Sequence, residues 1–338
     1  MTTGIPSSAG GWGAILYSLK MARRAGGLLA ILRALTSKNT CKTCALGMGG
    51  QSGGLRNEKG HFPEVCNKSF QAQAADMQGA IPHDFFDRYD VPTLRTWSPR
   101  QLELSGRLTR PLLCENHRYR PISWEKALNL LAAKLKSAAP ERAFFYASGR
   151  SSNEAGFLLQ LFARIFGTNN VSNCSYYCHQ ASGVGLTQTL GTGTATIQLE
   201  DLDHADLLFL IGANPSSNHP RFMTLLMQIR RRGGKVIVVN PARERGLEKF
   251  SVPSDLRSLI SSSEIASSYI QPHIGGDIAL LKGISKALLR NSESNPGIIS
   301  TSFIQSSTEH FEDYKRDIEQ TPWSRLEAES GLTQAVME

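Results

Sequence analysis

From residue 121 onward, apolar and polar positions alternate with readable periods. Ser123 can cap a helix in which Ala127, Leu128, Leu131 and Leu135 fall at helical spacing, ending near Pro140. The run 143–147 is short, apolar and suited to a buried strand, and Gly149 ends it. Asn153 can cap the next helix, whose Leu158, Leu159, Phe162, Ile165 and Phe166 are apolar and which Gly167 can close. Residues 206–211 and 235–239 read as two further strands with a helix over 221–232 between them. Strand, helix, strand at that spacing is a βαβ unit, so the expected fold class is α/β with a parallel sheet and right-handed crossovers. Beyond Asn240 the pattern weakens. Residues 251–268 are serine-rich, a helix opens at Gly275-Gly276-Asp277 and runs through Leu281 and Leu288, and 291–308 is polar and expected to loop.

Ahead of residue 121 the pattern is irregular. The first 40 residues carry Gly-Gly pairs and a basic amphipathic stretch over 15–35, and five glycines in the eight positions 47–54 read as a flexible loop. The expected organisation is an irregular N-terminal region over 1–80, a first α/β portion over 81–172 and a second over 173–338.

Charge sharpens this division. Of the formal net charge of +8, residues 1–60 hold eight basic side chains against Glu58 alone, so the rest of the chain is close to neutral. The local basicity is compatible with a solvated helix face or with a nucleic-acid or membrane-surface contact. Only Trp12 and Tyr17 interleave it with aromatics, and no nucleic-acid partner is expected. Apolar runs such as 205–211 fall far short of the roughly 20 residues of a membrane span. The apolar patch 26–32 is short and followed by Arg33, unlike a secretory signal, so a cytoplasmic location is expected.

Six cysteines are too few for a disulfide scaffold in 338 residues, and their spacing suggests metal. Cys41 and Cys44 form a Cys-x2-Cys pair that can share one metal or cluster, with Cys66 as a third thiolate for iron–sulfur or zinc. Cys174-Ser175-Tyr176-Tyr177-Cys178-His179 puts a soft thiolate beside an imidazole, just before the glycine-rich run 183–193, which reads as a loop able to approach phosphates. Cys174, Cys178 and His179 could alternatively hold zinc, or Cys174 and Cys178 could be small buried hydrophobes. Gly212-Ala213-Asn214-Pro215-Ser216-Ser217-Asn218-His219-Pro220 and Asn240-Pro241-Ala242-Arg243 each follow a predicted strand. Ligands of open α/β sheets bind at such strand ends, although Asn-Pro and Ser-Ser are also ordinary turn chemistry. Neither loop matches Gly-x-Gly-x-x-Gly.

These pieces resemble the molybdopterin oxidoreductases of the formate-dehydrogenase type, most closely formate-dehydrogenase-like alpha subunits with an altered cluster site. The resemblance runs from Gly11 onward. It is carried by Gly106-Arg107-Leu108-Thr109-Arg110-Pro111-Leu112, the stretch 121–128, the stretch 174–179, Leu202-Asp203-His204-Ala205-Asp206, the stretch 212–220 and Gly276-Asp277-Ile278-Ala279-Leu280. It implies a Mo-bis(molybdopterin guanine dinucleotide) cofactor with Cys178 as metal ligand and His179 as proton relay. It also implies that Gly212, Asn214, Pro215, Ser217, His219, Asn240, Arg243 and Asp277 hold the pterin and guanine nucleotide. A [4Fe-4S] cluster on Cys41, Cys44 and Cys66 follows from the same resemblance, with Lys68 on the electron path.

Two departures matter. The family's third cluster cysteine falls on Met48, and its Cys-x-Lys-Gly element reads Cys66-Asn67-Lys68-Ser69, leaving three thiolates with Cys114 as a distant substitute. The family architecture is also longer, so the chain is expected to be truncated at its C-terminal end. The activity implied is two-electron oxidation of a small-molecule substrate such as formate, with an electron-transfer subunit as partner. The alternative is a catalytically incomplete fragment that acts at most as a cofactor-binding module.

Overall fold

The structure is a computed structural model, and it describes residues 8–36, 55–56, 62, 66–149 and 151–338. In chain order the first elements are β1 (Ala9–Gly10), α1 (Gly11–Arg24), α2 (Leu28–Thr36), α3 (Asn67–Asp76), α4 (Phe85–Arg88), α5 (Val91–Arg95) and α6 (Pro99–Leu104). There follow β2 (Leu112–Glu115), β3 (Arg118–Pro121), α7 (Trp124–Lys136), β4 (Phe145–Ala147), α8 (Asn153–Phe166), β5 (Val171–Asn173) and α9 (Cys174–Leu190). The next group is β6 (Leu207–Ile211), α10 (Pro215–Asn218), α11 (Phe222–Arg231), β7 (Lys235–Val239), α12 (Arg245–Glu248), β8 (Lys249–Ser251), α13 (Leu256–Ile260), β9 (Ser263–Glu264) and β10 (Ser268–Ile270). The chain continues through α14 (Asp277–Ser294), α15 (Thr301–Ser307), α16 (Phe311–Gln320), α17 (Trp323–Ser330) and α18 (Gln334–Met337). These elements form two compact units, Leu16–Gln198 and a second that joins Met1–Ile15 to Leu199–Glu338.

The second unit is built on a parallel sheet of order β10-β7-β6. Successive side chains of the central strand β7 point to opposite faces. Val236 and Val238 pack with Met223, Leu226 and Ile229 of α11, while Ile237 and Val239 pack with Ala279 and Leu280 of α14 and Leu326 of α17. A strand covered on both sides explains why 235–239 is nearly continuous in apolar residues. The predicted βαβ unit is therefore present, with Leu207 paired to Lys235 and Ile211 to Val239. A smaller sheet, β1-β8-β9, flanks it, and there Gly10 lies so near β8 that a Cβ would fall 2.4 Å from the Ser251 carbonyl oxygen.

Arg231 at the end of α11 grips the carboxylate of Asp255 with both terminal nitrogens (2.7 and 2.8 Å), and the same carboxylate caps α13 by accepting from the Ser258 N–H. The Arg231 hydrogen bonds are the main cause that lowers the Asp255 pKa from 3.8 to about 2. Folded Asp255 thus binds its proton more weakly than the unfolded chain does. The stabilisation is complete above about pH 4 and is lost as pH falls towards 2. Asp255→Asn is expected to cost about 1 kcal/mol at neutral pH, discounted for partial exposure, and to flatten the stability profile between pH 4 and 2. Thermal melts across that window check it.

In the first unit, Gly26 and Gly27 adopt positive φ (92° and 104°) and break the predicted basic stretch into α1 and α2; Ala22 of α1, Ala25 of the turn, and Ile31 and Leu35 of α2 pack with Cys66 and Phe70. The basic stretch is thus helical over 11–24 and 28–36, while residues 47–54 lie outside the described residues. Phe85, Tyr89 and Trp97 form an aromatic cluster with ring centroids 4.8–5.8 Å apart. Gly106, at φ 120°, lets Arg107 bond main chain to main chain with Gly79 and Ile81 (both 2.9 Å), so one of the quoted motifs has a structural use. β4 and β5 pair in parallel around α8, and Ser152 rather than Asn153 caps α8 by accepting from the Ala155 N–H. The predicted loop over 291–308 instead contains the end of α14 and all of α15, whose Ser300 cap no apolar period announces. Among the described residues, no helix is long and apolar enough to cross a membrane.

Candidate functional site

β6, β7 and β10 are parallel neighbours, so the loops that follow them leave the same sheet edge. After β6, Gly212 turns with φ 64°, its N–H donates to the Val239 carbonyl (2.9 Å), and nothing lies within 4 Å of where a Cβ would stand. Asn214 then organises its own loop, accepting at Oδ1 from the Ser216 hydroxyl (2.5 Å) and the Ser217 N–H (3.3 Å). Pro215 is buried, while Ser217 and His219 are exposed.

After β7, the Asn240 N–H donates to Ile270 and its Oδ1 accepts from the Ala242 N–H (both 3.0 Å). Arg243 lies over the Tyr269 ring, 5.7 Å from its centroid, and pairs with Glu248 at 2.6 Å. The Tyr269 hydroxyl donates to the Ala242 carbonyl (2.8 Å) and accepts from the Glu244 N–H (2.9 Å), and burial pushes its pKa up. Tyr269→Phe removes both bonds. It is expected to destabilise the unit by about 1–2 kcal/mol and to speed amide exchange over 241–245, measurable by hydrogen exchange.

After β10, Gln271 donates to the Pro241 carbonyl (3.0 Å), and the chain returns at His273, whose N–H donates to the Ser330 carbonyl (2.7 Å). Gly276 is buried directly before Asp277, the half-buried first residue of α14. The unit therefore carries all eight predicted cofactor-binding residues in the segments that follow β6, β7 and β10, with Asp277 at the start of α14. Tyr269, Gln271, Glu248 and His273, which shape these loops, were not expected. Their signal is the third strand, hidden in a serine-rich stretch without a long apolar run.

The other predicted residues lie in the first unit. β5 runs straight into α9, capped by Asn173, whose Oδ1 accepts from the Tyr176 N–H (3.3 Å). Cys174 packs on the end of β4, since a Cβ at Gly149 would fall 2.5 Å from its sulfur. Cys178 is exposed, and the next residue, His179, leaves helical geometry (φ −143°, ψ 24°), so α9 is kinked at the Cys-His pair. Gly183 and Gly185 lie inside α9 and Gly191 ends it at φ 75°. The predicted phosphate-approaching loop is thus mostly helix, because the residues between its glycines carry α9 through. Cys66 is the buried N-cap of α3 and Lys68 lies half-buried in its first turn. Cys114 stands exposed on the β2–β3 hairpin opposite Tyr119. Cys41, Cys44 and Met48 lie outside the described residues. Among those described, no three His, Cys, Asp or Glu side chains converge as metal ligands.

Residues 107–311 match the molybdopterin oxidoreductase family. Protein YdeP of Escherichia coli (strain K12) is 36% identical over 343 residues, covering 97% of this chain and 44% of YdeP. The F420-dependent formate dehydrogenase 1 subunit alpha of Methanococcus maripaludis is 31% identical over 244 residues, 72% of this chain and 31% of that subunit. Acetylene hydratase from Pelobacter acetylenicus shares the fold, with a TM-score of 0.56 and 19% identity over 88% of this chain and 37% of its own. The chain spans less than half the length of these relatives. Matched over more than half its residues by the family and over nearly all of them by YdeP, the chain belongs to the molybdopterin oxidoreductases.

Proposed function

We propose that the protein serves as a molybdenum-dependent oxidoreductase of the formate-dehydrogenase-like kind, taking two electrons from a small substrate such as formate. The observation that carries this is the exposed Cys178 thiol beside His179 at the kink of α9. Each unit, taken by itself, has residues that suit a part of a molybdenum–pterin group. Cys178 is a soft sulfur donor with no disulfide partner, and Gly212 opens a space at the sheet edge that any side chain would begin to fill.

A bound molybdopterin guanine dinucleotide pair supplies two-electron redox chemistry. Cys178 would hold the metal through its sulfur, and a ring nitrogen of the adjacent His179 would take up the substrate proton. Gly212, Asn214, Pro215, Ser217, His219 and Asn240 offer main-chain amides, hydroxyl and amide groups to the pterin and nucleotide, with Arg243 and Asp277 adding charge. Cys41, Cys44 and Cys66 read as thiolates of an iron–sulfur cluster, with the cation of Lys68 beside it and an electron-transfer subunit as partner.

The test is metal analysis with an optical spectrum of protein purified anaerobically from cells supplied with molybdenum and iron. Molybdenum together with iron supports the assignment, and the absence of both metals sinks it. A second reading, a cofactor-binding module without turnover of its own, is favoured by Phe157, Leu158 and Ile165 of α8, which are 62%, 60% and 78% exposed. Helices beside a parallel sheet ordinarily bury such faces. That reading predicts nucleotide binding without formate-dependent dye reduction.

A further inference from the structure

Three helices of the first unit border a cavity of about 620 Å³, a size within the range of small-molecule pockets. Each helix turns one face to it. Tyr17, Met21 and Arg24 of α1 stand at i, i+4 and i+7, Gln71, Ala74 and Gln78 of α3 at i, i+3 and i+7, and Arg100, Glu103 and Leu104 of α6 at i, i+3 and i+4. Two hydrogen bonds hold these walls in place. The Gln71 side-chain amide donates to the Tyr17 hydroxyl (2.9 Å), joining α3 to α1, and the Gln78 amide donates to the Glu103 carbonyl (2.8 Å), joining α3 to α6. Met21, 6% exposed, gives the cavity an apolar floor, which Ala74 and Leu104 extend. Of the charged lining residues, Arg100 and Glu103 pair with each other. Arg24 is exposed, and among the described residues its side chain makes no ion pair or hydrogen bond, so the lining keeps one uncompensated positive charge. None of the residues proposed above for the metal, the pterin or the cluster lines this cavity.

We propose that the cavity is a binding site for a small organic carboxylate, its anionic group on the Arg24 guanidinium and its apolar body against Met21, Ala74 and Leu104. The planar fork of a guanidinium meets both oxygens of a carboxylate with parallel N–H bonds. An inorganic anion would leave the apolar floor unused, and an uncharged apolar molecule would leave Arg24 without a partner. Walls already tied together by hydrogen bonds lose little freedom when the ligand enters.

The full chain is titrated by calorimetry with cinnamate and with its uncharged counterpart cinnamamide, as wild type, Arg24→Gln and Arg23→Gln. Arg23 is exposed and does not line the cavity, so its variant controls for the loss of one surface charge. Saturable cinnamate binding by wild type, at least about tenfold tighter than cinnamamide, is expected. Arg24→Gln is expected to weaken cinnamate by about 10- to 100-fold, the worth of hydrogen bonds to a charged group, and to leave cinnamamide unchanged. Arg23→Gln should bind both as wild type does. Both substitutions fall at exposed positions, and unchanged melting temperatures check that the variants are folded. Leu104→Glu, which sets a carboxylate against the apolar surface, is a second variant and should also lower cinnamate affinity. Equal affinities for the two probes, cinnamate binding that survives Arg24→Gln, an equal loss in Arg23→Gln, or no saturation up to about 10 mM each overturns the proposal.

Discussion

Cys178→Ala is expected to leave the protein folded while stripping it of molybdenum and of substrate-dependent dye reduction. The side chain is exposed, so its truncation should shift stability by less than about 0.5 kcal/mol. Loss of an outer partner of a metal site typically costs about 10- to 100-fold in affinity or activity, and loss of the direct sulfur ligand must exceed that. Cys174→Ala is the matched control. Its thiol packs on Gly149, so that variant should keep its metal and lose only about 1 kcal/mol from the emptied contact. Molybdenum content by mass spectrometry and dye reduction decide between them. Full retention of metal in Cys178→Ala would remove the ligand assignment, and loss of metal in Cys174→Ala instead would transfer it there.

The contrast between these two cysteines shows what could be read from the chain alone. Spacing put a thiolate beside an imidazole, but a helix through 174–178 would present both sulfurs on one face. The structure separates them by environment, through a glycine at the end of β4 and a departure from helical geometry at His179. Neither is encoded in residues 174–179. The glycine is contributed from 25 residues upstream, and the kink has no proline or glycine at its own position to announce it.

The parallel sheet was legible for the opposite reason. Strands β6 and β7 both read as unbroken apolar runs, although Leu207, Phe209 and Ile211 of β6 are exposed, and α11 between them alternates sharply, with Met223, Leu226, Met227 and Ile229 all inside. β10 was not legible, because at three residues it is too short to show a period, and serines surround it. It nevertheless supplies Tyr269, the residue that holds the Asn240–Arg243 loop in shape. The basic helix face over 15–35 was legible, but its division was not, because the Gly-Gly pairs were read as irregular chain, whereas Gly26 and Gly27 serve as a single turn between two regular helices.

Gly276→Ala is expected to be the most disruptive small substitution at the sheet edge. The φ of Gly276 is an ordinary −83°, so conformational strain plays no part. The obstacle is contact: a Cβ there would lie 2.7 Å from the Glu329 carbonyl oxygen, 2.8 Å from Ser330 Cα and 3.1 Å from the His273 carbonyl oxygen. All three are main-chain atoms, and the His273–Ser330 hydrogen bond holds two of the segments together, so no side chain can swing aside. Overpacking of this kind costs about 1–3 kcal/mol, and its upper end applies where the backbone itself must yield. For a unit of this size each kcal/mol moves the melting temperature by roughly 2–4 °C. Gly212→Ala provides the comparison, since its φ of 64° disfavours a side chain while the space around it is open. It should cost only about 1 kcal/mol. The two variants therefore separate crowding from conformation. Because Gly276 immediately precedes Asp277, the crowded variant should also weaken binding of a guanine nucleotide in a titration with GDP. A Gly276→Ala protein that melts like Gly212→Ala would mean that residues 329–331 give way freely, and that the return of the chain at His273 does not fix Asp277 in place.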